Sequence, residues 1–174
     1  LYRLSMRSRR WGETMNPLEL RPDWEFVADT VMGGVSVGQV PSGIIYKRHA
    51  ARLTGKVSLD NNGGFVQMAF DINDDGTDFD ASAYVGIEID VYGNDEVYDV
   101  RLRTSVLARP WQSYRASFTA KPKWSTIQLT LEQFVPHKTE TPFDARCLRR
   151  IGILGIGRQF DADIAVSGIR LLNV

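Results

Sequence analysis

Three features of the chain predict an all-β fold, two antiparallel sheets packed as a β-sandwich or jelly roll. Apolar and polar side chains alternate over short runs, Gly-, Asn- and Asp-rich turns separate the runs, and no helical stretch of about a dozen residues survives the count. The alternation begins at Leu53, Gly55, Val57 and Leu59, set against Arg52, Thr54, Lys56 and Ser58. It recurs at Val66, Met68, Phe70 and Ile72, and most clearly at Val85, Ile87, Ile89 and Val91, whose side chains fall on one side of a pleated strand. Val100 with Leu102, Tyr114 with Ala116 and Phe118, and Ile127 with Leu129 and Leu131 repeat the pattern, as half-buried antiparallel strands do. Ile151 to Ile156 is almost continuously apolar and reads as a central strand, while Ile164 and Val166 change parity to Ile169 and Leu171 across Gly168, as at a β-bulge. Turns are expected at Pro41-Ser42-Gly43, Asn61 to Gly64, Asn73 to Gly76 and Gly93-Asn94-Asp95. The one helical candidate is short, Asp144 to Arg150 with Asp144 as N-cap.

The chain's 174 residues suit one domain, expected over 15–174 after a basic tail at 1–14 that carries Arg3, Arg7, Arg9 and Arg10 against Glu13. This opening has a faint character of an organellar transit peptide but is short for one, and the simpler expectation is a tail or sequence upstream of a start at Met15. Lys and Arg number 21 and so do Asp and Glu, so a nucleic-acid or membrane-surface partner would need a local patch. No apolar run reaches the roughly eighteen residues of a membrane span. The single cysteine, Cys147, permits no internal disulfide and fits a reducing compartment.

Gly34-Val35-Ser36-Val37-Gly38 has the spacing of a nucleophile elbow, but a turn and another strand-like run follow it where that motif needs a helix, so Ser36 is not expected to be a nucleophile. His49, His137 and Cys147 are too few and too dispersed for a zinc site. Asp71, Asn73, Asp75 and Gly76 reproduce the first half of a calcium loop. Ser82 stands where the bidentate glutamate belongs, which leaves a weak calcium candidate against the reading of an acidic hairpin turn. Charge is segregated: residues 71–99 hold ten carboxylates and no Lys or Arg, and residues 100–131 hold six cations and no carboxylate. Cross-strand ion pairing between the two segments is the simplest expectation. The sharper reading joins Arg101, Arg103 and Arg115 with Trp111, Tyr114 and Trp124 into a patch that stacks on sugar rings or nucleic-acid bases.

Trp24 to Ser36, reading Trp-Glu-Phe-Val-Ala-Asp-Thr-Val-Met-Gly-Gly-Val-Ser, followed by Asn62-Gly63-Gly64-Phe65, resembles the signature of the complex I intermediate-associated protein 30 family. Asp80 with Tyr84 to Ile87, the Tyr98 to Thr104 strand, Phe118 with Trp124, and Phe134-Val135-Pro136 are similar to later blocks of that family, and Gly93-Asn94-Asp95-Glu96 departs from its usual Gly-Asp-Gly turn.

The resemblance implies a galactose-binding-like jelly roll without catalysis or cofactor. It also implies a protein partner: a subunit or assembly intermediate of respiratory complex I, NADH:ubiquinone oxidoreductase, held in a chaperone-like manner. The compartment would be the cytoplasm of a bacterium or the mitochondrion of a eukaryote. Binding is expected at the loops of Asp29, Met32, Gly33, Gly34 and Ser36 with Asn62, Gly63, Gly64 and Phe65, whose other reading is a pair of tight turns packed together. A carbohydrate-binding or RNA-binding sandwich is the alternative.

Overall fold

A computed structural model describes residues 17–173, apart from the side chains of Met32 and Asn62; the expected 1–14 tail lies outside these residues. The strands are β1 (Leu18–Glu19), β2 (Glu25–Ala28), β3 (Val37–Gln39), β4 (Ser42–Ile45), β5 (Arg48–Val57), β6 (Phe65–Asp71), β7 (Gly86–Tyr92), β8 (Glu96–Thr104), β9 (Ser113–Ala120), β10 (Ser125–Thr130), β11 (Val135–His137), β12 (Leu148–Ile156) and β13 (Phe160–Leu172). They form two antiparallel sheets. One runs β10-β7-β13-β5-β3, with β1 added to β13 and β4 to β5; the other runs β11-β9-β8-β12-β6-β2.

The alternation decides which residues meet between the sheets. Leu53, Ile87, Ile89, Val91, Ile164 and Ile169 of the first sheet pack on Val66, Met68, Phe70, Val100, Ile151 and Ile153 of the second, all buried. The near-continuous apolar run is central, as expected, with β12 between β8 and β6. The parity change in β13 is a register shift between Val166 and Gly168. A side chain at Gly168 would crowd the Arg170 guanidinium, which lies between Glu19, Glu88 and Asp90 at 2.5, 2.6 and 2.5 Å. One arginine thus joins β1, β7 and β13.

Three expectations need correction. Val85 and Leu59 sit outside the strands and are exposed: Val85 precedes β7, its amide donating to the Leu172 carbonyl at 2.7 Å, and Leu59 follows β5 at the start of the 3-10 turn Asp60–Asn62. The Asp144 to Arg150 segment makes only a 3-10 turn at Ala145–Cys147. Asp144 accepts from the Arg146 amide as an N-cap does, but Leu148 is buried opposite Thr104 and already belongs to β12. Finally, Ser42 opens a strand and does not form a turn. The chain reverses at Tyr46 and Lys47, with φ of 47° and 70°. Left-handed backbone is unfavourable for such residues. The cost is offset by the Tyr46 ring stacked on Tyr92 at 3.8 Å and by the Trp124 indole N–H donating to the Tyr46 carbonyl at 2.8 Å.

Tyr98 links the two sheets. From β8 its hydroxyl donates to Asn94 Oδ1 at 2.7 Å and accepts the Asp163 amide of β13 at 2.9 Å. Burial pushes the phenol up to about 12. The neutral form is therefore favoured by folding, and its contribution to stability is complete below the free-tyrosine value of about 10 and is lost as pH rises through the folded value. Burial raises the Tyr114 phenol as well, so an absorbance titration at alkaline pH should show late-titrating tyrosine absorbance that Tyr98→Phe reduces. The same substitution should lower stability to urea by about 1–2 kcal/mol, and an unchanged titration curve would contradict this account.

Candidate binding surface

The two glycine-rich blocks are joined by one carboxylate. Asp29 is fully buried at the start of a 3-10 turn, Asp29–Met32, that follows β2. Its Oδ1 accepts the Ser36 amide at 2.9 Å; its Oδ2 accepts the Ser36 hydroxyl, the Gly64 amide at 2.6 Å and the Phe65 amide at 3.3 Å. The Ser36 hydroxyl oxygen in turn accepts the Ser58 amide at 2.8 Å. A Cβ on Gly34 or Gly63 would overlap the Asp29 carboxyl, so glycine at both places makes room for the tie. Gly33 serves differently: its φ is 87° with open space around the Cβ position, so it is there for the backbone turn. Burial raises the Asp29 pKa, but the hydrogen bonds from Ser36, Gly64 and Phe65 outweigh it and hold the carboxyl below its ordinary value. The expected roles of the Met32 and Asn62 side chains lie outside the described residues. Val31 and Val35 of the tied loop are exposed.

Phe65, which closes the knot, also begins the outward row of β6, and so leads onto the outer face of the six-stranded sheet. Register places Phe65 beside Ile156, Leu154 beside Asp99, and Arg101 beside Arg115 and Gly152. Arg150 lies beside Arg103, and His137 beside Ser113. One end of this face is apolar, with Val97 exposed and Phe65 and Ile156 half-buried; the other end is cationic. Its carboxylates are engaged. Asp99 takes Arg101 Nη2 at 2.8 Å and the Ser117 hydroxyl at 2.7 Å, and Asp71 and Glu25 share Arg150 at 3.0 and 2.9 Å. Arg103 instead donates to the Gln112 and Arg109 carbonyls at 3.1 and 3.0 Å, which holds the turn carrying exposed Trp111. Arg115 is exposed and makes no ion pair among the described residues. Burial lowers the His137 pKa, and Arg101, Arg115 and Lys138 lower it further. These cations create a positive field at that end of the sheet.

Arg101, Arg103 and Arg115 therefore share a face with Trp111 at its end, but Tyr114 and Trp124 do not join them. Tyr114 points into the core and donates to the Thr141 carbonyl at 2.8 Å, because it has the parity of Ala116 and Phe118. Trp124 lies on the opposite sheet, edge-on to Tyr92 and with Arg48 4.7 Å from its ring centre. Ion pairing between the acidic and basic segments is also mostly absent. Asp99 with Arg101 is the one such pair among the described residues, and the other paired carboxylates of 71–99 reach Arg150, Arg158 and Arg170. The calcium candidates are directed elsewhere. Asp71 faces Arg150, Asp75 accepts from Thr77, and the Asn73 amide donates to Thr77 and Asp78 carbonyls. Among the described residues no three His, Cys, Asp or Glu side chains are grouped to hold a metal ion.

Sequence comparison agrees with the signature knot: the chain matches complex I intermediate-associated protein 30 (CIA30) over residues 14–165. The chain belongs to the CIA30 family. No curated protein has a matching sequence. In fold the CIA30 chain is similar to a family 11 carbohydrate-binding module of Clostridium thermocellum in complex with a β-1,3-1,4-mixed-linked tetrasaccharide, at 12% identity, with 91% of this chain and 96% of that chain covered and a TM-score of 0.72. A family 30 carbohydrate-binding module of a cellulosomal cellulase of the same organism gives 15% identity, 91% and 98% coverage and a TM-score of 0.60. The likeness is one of architecture, a two-sheet jelly roll.

The CIA30 signature residues tie two loops, so their substitution should act first on stability. Asp29→Asn puts an amide donor against backbone N–H groups and should cost about 3 kcal/mol in denaturant unfolding. Gly34→Ala and Gly63→Ala should each cost at least as much as Gly33→Ala, whose backbone strain is worth about 1 kcal/mol. Because the Asp29 pKa is depressed by folding, its stabilisation is present above the free-carboxylate range and is lost as pH falls through its folded value. Acid unfolding of Asp29→Asn should accordingly be shallower than that of the parent.

Proposed function

We propose that this chain is a non-catalytic, protein-binding module of respiratory complex I assembly, holding a subunit or assembly intermediate in a chaperone-like role. The observation that carries the reading is the CIA30 match over residues 14–165. The chemistry of the signature supports it: Ser36, the serine in nucleophile-elbow spacing, is buried and donates to Asp29, so this motif serves loop packing and makes no bonds in a substrate. The tied loops supply a rigid corner on which Val31 and Val35 remain exposed for a partner. Among the described residues no helix is long and apolar enough to cross a membrane. The module acts in the cytoplasm if its source is bacterial and in the mitochondrion if it is eukaryotic.

A carbohydrate-binding role is the second reading, favoured by the full-length likeness to carbohydrate-binding modules and by exposed Trp111. Affinity capture of the full chain from its native cells should return complex I subunits or assembly intermediates above background, with Val31→Asp reducing recovery while leaving the unfolding midpoint in place. Recovery of none of these, together with glycan-array hits abolished by Trp111→Ala, would replace the first reading by the second.

A further inference from the structure

We propose that the outer face of the six-stranded sheet is the docking surface for the protein partner, and that it takes an extended segment in which acidic residues adjoin an apolar stretch. The inference rests on the assembly-factor reading and names the surface and the chemistry of the segment. The face has two ends of unlike character. Val97 is 44% exposed, and with Ile156 and Phe65 it leaves an apolar end where the signature loops meet the sheet. Across the strands, Arg101, Arg103 and Arg115 gather at the other end, beside exposed Trp111 and Val135.

Charge complementarity selects the occupant. Every carboxylate already named on this face is held by a cation of the face itself, so none is left to neutralise Arg115. The Arg101 guanidinium is buried, paired with Asp99 and donating to the Ser113 hydroxyl at 3.1 Å, so it lies beneath the surface and leaves Arg115 exposed and unpaired at this end among the described residues. Arg103 is fixed on two backbone carbonyls. Exposed Arg115, with half-buried Arg103 beside it, suits carboxylates of a partner, and the adjoining Val97 and Ile156 end suits aliphatic side chains that a sugar or a nucleotide lacks. The opposite sheet also exposes Val37, Ile44 and Tyr46, but its arginines Arg52 and Arg170 are already held, by Asp163 and by Glu19, Glu88 and Asp90. Its rings are engaged with one another and with cations, Tyr46 stacked on Tyr92 on one side with Arg52 5.3 Å away, and Trp124 beneath Arg48.

The test uses the full chain and a fluorescein-labelled peptide carrying a glutamate run followed by Leu-Val-Leu, read by anisotropy, with an oligouridylate and a mixed-linked β-glucan tetrasaccharide as rival probes. Saturable peptide binding should weaken at least about tenfold between low and physiological salt, as exposed charge contacts do. Arg115→Glu should weaken it by a further factor of about ten, and Val97→Asp by at least about threefold, while Lys56→Glu on the other sheet leaves it unchanged. Circular dichroism on each variant confirms that the fold is kept. Absence of saturable peptide binding, equal binding by Arg115→Glu, or tighter binding of either rival probe at these residues would overturn the proposal. Partner capture by the same variants separates the levels. Intact capture by Arg115→Glu and Val97→Asp removes this surface and leaves the assembly-factor reading standing, whereas failure of capture by the parent chain removes that reading itself.

Discussion

The fold's most constrained point is a single buried carboxylate. Asp29 gathers donors from the two glycine-rich blocks, which are 35 residues apart at the Asp29 and Gly64 ends of the contact, and sets the approach of β2 to the loop before β6. A buried charge is tolerable only when its lone pairs are occupied, and here backbone amides and one hydroxyl occupy them. The family signature is thereby explained in physical terms. The aspartate needs the amides, the amides need the loops to come close, and closeness needs glycines at Gly34 and Gly63. Gly64 also accepts at its carbonyl from Gly157 at 2.9 Å, so the β12–β13 turn is anchored to the same point.

Charge follows a different logic from the core. The arginines that neutralise the acidic stretch come largely from the C-terminal strands: Arg150 from β12, Arg158 from the following turn and Arg170 from β13. Sheet topology brings them there, since β13 lies between β7 and β5 and β12 between β8 and β6. As a consequence the cations of 100–131 are left largely to themselves, and a chain with balanced totals acquires a positive region on one sheet face. Exposed ion pairs contribute little individually, but Arg170, bonded to Glu19, Glu88 and Asp90, is more than an isolated pair because it fixes the register of three strands.

Most strands were legible because period-two alternation reports directly on which side chains are shielded from water. The bulge was legible as well, since a parity flip at Gly168 has no other simple meaning. What alternation does not report is pairing across the sequence. The expected patch of Arg101, Arg103, Arg115, Trp111, Tyr114 and Trp124 assumed that neighbours along the chain share a surface. A strand directs successive residues to opposite faces, and β9 and β10 lie in different sheets. Reading parity alone along Val97, Asp99, Arg101 and Arg103 would have marked the outward row of β8. The reversal at Tyr46 and Lys47 left no trace in composition, because the residues that stabilise it, Tyr92 and Trp124, are distant in the chain.

The stacked Tyr46, Tyr92 and Trp124 rings have an optical consequence. Trp24 packs edge-on to Phe70 at 4.8 Å, Trp111 is 47% exposed, and Trp124 is hydrogen-bonded beneath a guanidinium. These three of the chain's four tryptophans thus occupy a half-buried packing site, a watery rim and a polar clasp, and their emission bands should separate accordingly. The molecule carries its own set of reporters, one for packing of Trp24 against the core, one for the edge of the cationic face and one for closure of the β4–β5 hairpin.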